Sequence, residues 1–222
     1  MKPDLNRRLL SEFLGTAGLL VTVVGSGIMG ETLAQGNAAL ALLANSLATG
    51  AGLYALIQAF EGVSGAHFNP VVSLVDWISK KLTTQEWLSY VAAQVLGAIS
   101  GVLLTHIIFG QAVFQLSNHH RAELRLAVSE VLATLGLILV IGLTGKKKPD
   151  TTPAAVACYI VAAYWATSST SFANPAVTLA RSLTDTFSGI HWAGVPAFVL
   201  AQVVGAGLGF LLLRGLKKDR AG

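Results

Sequence analysis

Charge is scarce in this chain. Only 12% of its 222 residues are Asp, Glu, Lys or Arg, whereas 53% are apolar. A soluble domain needs a charged shell, so this shortage excludes one and indicates a chain dissolved in lipid. Cysteine is almost absent: Cys158 stands alone, which excludes an internal disulfide. Set in an apolar stretch, it reads as a small buried residue rather than a thiol site. His106, His119, His120 and His191 lack metal-ligand spacing, no glycine-rich loop could cradle a phosphate, and no nucleophilic triad can be assembled. An enzyme therefore has no support, and no cofactor and no metal are expected.

Long uncharged runs are what the chain does have. Phe13–Gly30, Thr32–Phe60, Trp87–His120, Thr151–Ala180 and Thr186–Leu213 each reach the roughly 18 to 20 residues that cross about 30 Å of hydrocarbon. Val131–Gly145 becomes long enough once Leu126–Glu130 are added, which makes six spans. Arg7 and Arg8 ahead of the first run imitate a signal peptide, but no A-x-A cleavage pattern follows and Glu12 interrupts the apolar stretch. The first run is expected to stay as a mature helix.

The few cations are unevenly placed. Lys2, Arg7 and Arg8 precede the first span, Lys80 and Lys81 follow the second, Lys146–Lys148 follow the fourth, and Arg214, Lys217, Lys218 and Arg220 close the chain. If six spans alternate, these twelve of the 15 Lys and Arg share one side, and the positive-inside rule makes that side cytoplasmic. The expectation is a multi-pass protein of the cell (inner) membrane with both termini in the cytoplasm. The pI near 9.4 needs no nucleic-acid partner, because these cations are the topological signal itself.

Three segments recur in the same order. SEFLGTAGLL at Ser11–Leu20 matches SEVLATLGLI at Ser129–Ile138, pairing Glu12 with Glu130. GAHFNPVVSL at Gly65–Leu74 matches SFANPAVTL at Ser171–Leu179, and AQVLGAISG at Ala93–Gly101 matches AQVVGAGLG at Ala201–Gly209. Each half carries three spans, an odd number, so the halves lie upside down relative to one another. The chain reads as one transmembrane channel domain, 1–222, with repeats over about 8–110 and about 124–214.

Each half also contains one Asn-Pro inside apolar sequence. Asn is a strong helix N-cap and Pro is favoured at the first helical position, so each pair restarts a helix. Asn69 to Ile78 and Asn174 to Leu183 are about ten residues each, or about 15 Å, half a bilayer. The inverted repeat sets the two starts head to head near the midplane, with Ser64–Phe68 and Ser168–Ala173 threading back into the membrane. Unpaired carbonyls in such segments are tolerated at that depth only beside a water-filled path.

With these two Asn-Pro motifs, the SGAHFNP lead-in at Ser64–Pro70 and a matched Glu in each half, the chain resembles the aquaporins, or major intrinsic proteins, from about Arg8 to Arg214. The resemblance implies an all-α membrane protein of six transmembrane helices and two re-entrant half-helices, with one conduit per chain and a homotetrameric assembly in the lipid bilayer. The motifs Asn69-Pro70-Val71 and Asn174-Pro175-Ala176 would form the midplane of the pore. Each helix start carries about half a positive charge and repels cations there, while neutral solutes cross. The two Asn amides can donate to a passing oxygen while their carbonyl oxygens cap their helices. Val71 departs from the family's usual Ala, and its extra bulk is expected to narrow or dry that point.

Glu12 and Glu130 resemble the acids that accept hydrogen bonds from the re-entrant backbone in this family, a role favoured here over proton coupling. Gly97-x-x-x-Gly101 and Gly205-x-x-x-Gly209 read as close helix contacts. His67 sits beside the cytoplasmic half of the pore, either touching solute or packing, and the other histidines are expected mostly in or near outer loops, exposed to solvent. The family's selectivity filter, carried over by spacing, falls on Thr49, Ala162, Ser171 and Val177, with the span-five residue anywhere from Val161 to Ala163. Val177 stands where the family nearly always has Arg. No aromatic residue is among the four, which implies a wide, mostly apolar constriction. Arg181, four residues on, is expected at the outer vestibule, either paired with Asp185 or supplying the missing cation repulsion.

The resemblance implies a passive channel for water and small uncharged solutes. Glycerol-type polyols are one class. The filter and the NPAVTLARSLTDTF stretch are similar to those of bacterial aquaglyceroporins linked to arsenic resistance, which adds neutral arsenic or other metalloid species. A strict water channel, and a coupled transporter or ion channel on an inverted-repeat plan, stay open as alternatives.

Overall fold

The structure, a computed structural model, describes residues 3–218. Lys2 and Arg220 of the charge pattern lie outside them. Eight α-helices follow one another: α1 (Leu5–Ala34), α2 (Ala38–Ser64), α3 (Pro70–Ile78), α4 (Thr84–Ile108), α5 (Leu124–Lys147), α6 (Thr152–Ala166), α7 (Pro175–Ala180) and α8 (Val195–Lys218). Five of them are long and apolar enough to cross a membrane. α6 has 15 residues, about 22 Å of helix, because the chain leaves it at Thr167 to re-enter the membrane. The long uncharged run Thr151–Ala180 is thus divided among α6, an irregular segment and α7.

Local signals explain the boundaries. The Asp4 side chain caps α1 by accepting from Arg7 N at 3.0 Å, and the Asn37 side chain caps α2 by accepting from Leu40 N at 3.1 Å. α4 begins with a capping box, in which Thr83 Oγ1 accepts from Glu86 N while Glu86 Oε2 accepts from Thr83 N. α2 stops at Gly65, whose φ of +89° is a left-handed C-cap that glycine adopts without strain.

Helix pairing follows the repeat: α1 packs on α2 and α4, α5 on α6 and α8, and α2 meets α6 across the bundle. In lipid no hydrophobic force drives helices together, so close approach of backbones must supply dispersion. A methyl group on Gly97 or Gly101 would run into the carbonyls of Phe13 and Ala17, and one on Gly205 into that of Val131, while one on Gly209 would sit tight against Ile138 and the Leu135 carbonyl. Bulky side chains such as Leu33, Leu96 and Leu200 cover the outside. They fit a lipid-facing surface, and the chain is an integral membrane protein.

Candidate functional site

The half-helices are built as their sequences dictate. Pro70 and Pro175 occupy the first turn of α3 and α7, and the Asn69 and Asn174 side chains cap them by accepting from Val71 N and from Ala176 N and Val177 N. α7 continues as a tighter 3-10 turn over Arg181–Leu183. Asn69 Nδ2 donates to the Ala173 carbonyl and Asn174 Nδ2 to the Phe68 carbonyl, both at 2.8 Å. The two helix starts are therefore tied together, and one N–H of each amide remains beyond the cross-link.

The approach segments adopt a conformation they could not hold alone. Ala66 and Phe68 before Asn69, and Ser171 and Ala173 before Asn174, have φ between +47° and +50°, which costs a non-glycine residue roughly 1–2 kcal/mol. Glu12 offsets this by accepting from His67 N, Phe68 N, Ser64 Oγ and Gln94 Nε2. Glu130 does the same for Phe172 N, Ala173 N, Ser169 Oγ and Gln202 Nε2. Four donors and no acceptor meet each fully buried carboxylate. Gln94 and Gln202 were not singled out from sequence, although their matched places in the AQVLG and AQVVG segments were the available signal.

A cavity of ≈ 290 Å³ runs past both helix starts. Asn69, Asn174, Thr49, Ser171, Val177 and Arg181 all line it. Ala162 does not. α6 turns Thr152, Val156, Ile160 and Tyr164 to the cavity at a spacing of four, and Ala162 lies about 200° round the helix from Ile160, on the exposed face. Val161 and Ala163 do not line it either; of the four α6 residues that do, Tyr164 donates its hydroxyl to Thr49 Oγ1 at 3.4 Å. Phe172 also borders the cavity, so Tyr164 and Phe172 add aromatic lining beyond the four residues read from the sequence. Ser171 Oγ is buried with no hydrogen-bond partner among the described residues.

Val71 is corrected in the other direction. It is 1% exposed and packs on Ile138, Ala206 and Leu213, away from the cavity, and Val72 lines that cavity instead. Its counterpart Ala176 points into the α1–α4 side with Val24 and Val102. The third motif residue therefore fills a helix interface and leaves the bore unchanged.

Arg181 does not pair with Asp185. The helix ends in the 3-10 turn and Thr184 is extended, so residue 185 is no longer one helical turn beyond Arg181. Asp185 instead accepts from Asn118 N and Asn118 Nδ2, each at 2.8 Å. Those bonds come first, with His119 nearby, in holding its carboxyl below the usual range. They dock the 109–123 loop over α7, helped by Ser117 N donating to the Ser182 carbonyl.

At the opposite mouth, His67 Nδ1 contacts Ser73 Oγ at 3.0 Å and Nε2 lies 3.4 Å from Asp76 Oδ2. Lys81 Nζ donates to Asp76 at 2.7 Å. His67 both packs and lines the cavity. His106 differs from expectation: it is fully buried at the end of α4, bridging the Val113 carbonyl and Thr184 Oγ1, because the loop folds back over it. Cys158 is exposed on the outer face of α6 rather than buried.

Known proteins share this plan. The profile of the Major intrinsic protein family matches residues 1–168. The chain is 47% identical over 213 residues to Aquaglyceroporin AqpS of Rhizobium meliloti (strain 1021), covering 96% of this chain and 91% of that protein. It is 31% identical over 222 residues to Aquaporin-2 of Homo sapiens, covering 93% and 77%. Its fold is similar to the X-ray structure of the aquaglyceroporin from Plasmodium falciparum, with a TM-score of 0.71 and 20% identity over 94% of this chain and 95% of that one. With a profile match over most of its length and a near-full-length relative at close to half identity, the chain belongs to the major intrinsic protein family, a family of membrane channels.

Proposed function

We propose that the cavity is the conduction path of a passive channel for water and small uncharged solutes, including glycerol-type polyols and neutral arsenic or other metalloid species. The observation that carries this reading is one cavity bordered by both Asn caps, both re-entrant segments and the candidate filter residues Thr49, Ser171 and Val177. Two helix starts, each with about half a positive charge, oppose cations at the midplane. The remaining N–H of Asn69 and of Asn174 serves a passing oxygen, and Glu12 and Glu130 hold the re-entrant backbone in place. Similarity to a relative named as an aquaglyceroporin supports the polyol class.

In this reading both termini and the His67–Asp76–Lys81 mouth face the cytoplasm, Arg181 faces outward, and four copies assemble in the cell (inner) membrane. The chain forms one channel domain, its repeats spanning about 8–110 and about 124–214.

Stopped-flow light scattering on proteoliposomes tests the reading with water, glycerol and undissociated arsenous acid. Linear, potential-independent flux of all three above empty vesicles is expected. Water alone passing would favour a strict water channel, and saturation or voltage dependence a coupled transporter or ion channel. Val177→Arg should fill the constriction and slow glycerol at least about tenfold more than water, an amount equal to 1.36 kcal/mol of barrier. Equal slowing would remove Val177 from the filter.

A further inference from the structure

Beside the candidate filter, two guanidinium groups meet one ring. Arg181 stacks on Phe172 with its central carbon 3.4 Å from the ring centroid, and Arg121 lies 5.4 Å from the same centroid. Phe172 is itself clamped edge-on by Phe198 at 5.2 Å and packs on Leu126 and Ile190. Arg181 Nε donates to the Ser188 carbonyl. No acceptor meets the Arg181 terminal nitrogens, and no carboxylate pairs with it, among the described residues. Arg121 donates instead to the Gly189 and Ser169 carbonyls. Both Arg181 and the unpartnered Ser171 Oγ line the cavity.

We propose that Arg181 is a specificity-determining residue of this pore and that Phe172 is the residue that positions it. Resting on the conduction reading above, this places the filter's cation one turn beyond Val177, in the 3-10 turn that follows α7, and supports it on an aromatic shelf. The stack fixes the guanidinium plane and leaves its terminal N–H groups for solute. Arg181 and Ser171 then hold the oxygens of a hydroxylated neutral solute, and Val177 offers an apolar wall for its carbon or methyl side. The solute class is compact oxygen-bearing molecules with one apolar face. Arg121, on the same ring, holds the shelf in place and adds positive potential against cations.

The test is a double-mutant cycle in proteoliposomes, reading the glycerol-to-water flux ratio and proton leak for Arg181→Gln, Phe172→Leu, Phe172→Tyr and Arg181→Gln/Phe172→Leu. Wild-type glycerol flux above empty vesicles is the entry condition, and its absence would sink the conduction reading rather than the filter assignment. Arg181→Gln should change the ratio and raise proton leak by about tenfold, within what a desolvated cation–π contact supports. Phe172→Leu should reproduce both changes, the double variant should go no further than Arg181→Gln, and Phe172→Tyr should restore the shelf. Additive effects, or a Phe172→Leu variant with wild-type ratio and leak, would overturn the positioning role. An Arg181→Gln variant with wild-type ratio and leak would overturn the specificity role. Should Arg181→Gln fail to insert, Arg181→Lys keeps the charge without the planar stack and must still shift the ratio.

Discussion

Asn69 and Asn174 each reach across to the other half of the chain: the Nδ2 of Asn69 donates to the Ala173 carbonyl and that of Asn174 to the Phe68 carbonyl, both at 2.8 Å. Replacing either with Asp removes the donor, faces a carboxylate with a carbonyl, and offsets the positive helix ends. A loss of about 2 kcal/mol, the scale of an unmet buried hydrogen bond, is expected in detergent unfolding, together with increased proton flux in proteoliposomes. Variants as stable and as ion-tight as the wild type would show that neither the cross-link nor the helix ends govern the midplane.

Glu12→Gln and Glu130→Gln should be equivalent in cost, because each carboxylate serves the same four kinds of donor. An amide there turns its own N–H groups toward donors and releases the left-handed residues beside it. About 3 kcal/mol of stability should be lost in each case, read as a shift in unfolding midpoint. A large asymmetry between the two would mean that the halves are not held alike.

The glycine contacts make a prediction about assembly of the bundle. Gly97→Val and Gly205→Val place methyl groups against the Phe13 and Val131 carbonyls, and overpacking of this kind costs about 1–3 kcal/mol or more. Gly62 and Gly207 have open space around an added Cβ, so Gly207→Ala should be tolerated. Unfolding curves of the variants distinguish the cases, and equal stability throughout would refute close packing as the role of the first pair.

Topology is checked by labelling. Cys158 is exposed, so the Cys158→Ala background comes first. Ser79→Cys, at the end of α3, should then react with an impermeant maleimide only from the cytoplasmic side. Phe114→Cys, in a loop residue 83% exposed, should react only from outside. The opposite pattern would invert the orientation.

Spans, inverted repeat and half-helix starts were legible in the sequence because each is a local property. Twenty apolar residues, an Asn-Pro pair or a recurring Ser-Glu segment mean the same thing wherever the rest of the chain lies. What could not be read was the direction in which side chains face. Spacing alone puts Ala162 at the filter, and a slip of two residues turns a helix by about 200°, which is what separates Ala162 on the exposed face from Tyr164 at the cavity. Val71 was assigned to the bore, yet the phase of α3 points it into α5 and α8. Arg181 and Asp185 looked paired on an α-helix, but the 3-10 turn at Arg181–Leu183 broke the spacing and left Asp185 to Asn118, 67 residues away in sequence. The sequence by itself thus determined the class, the helix order and the two capped half-helix starts, which depend on composition and capping. Only the tertiary structure decided which side chains wall the cavity, because that depends on helix phase and on loops folding back from the far half of the chain.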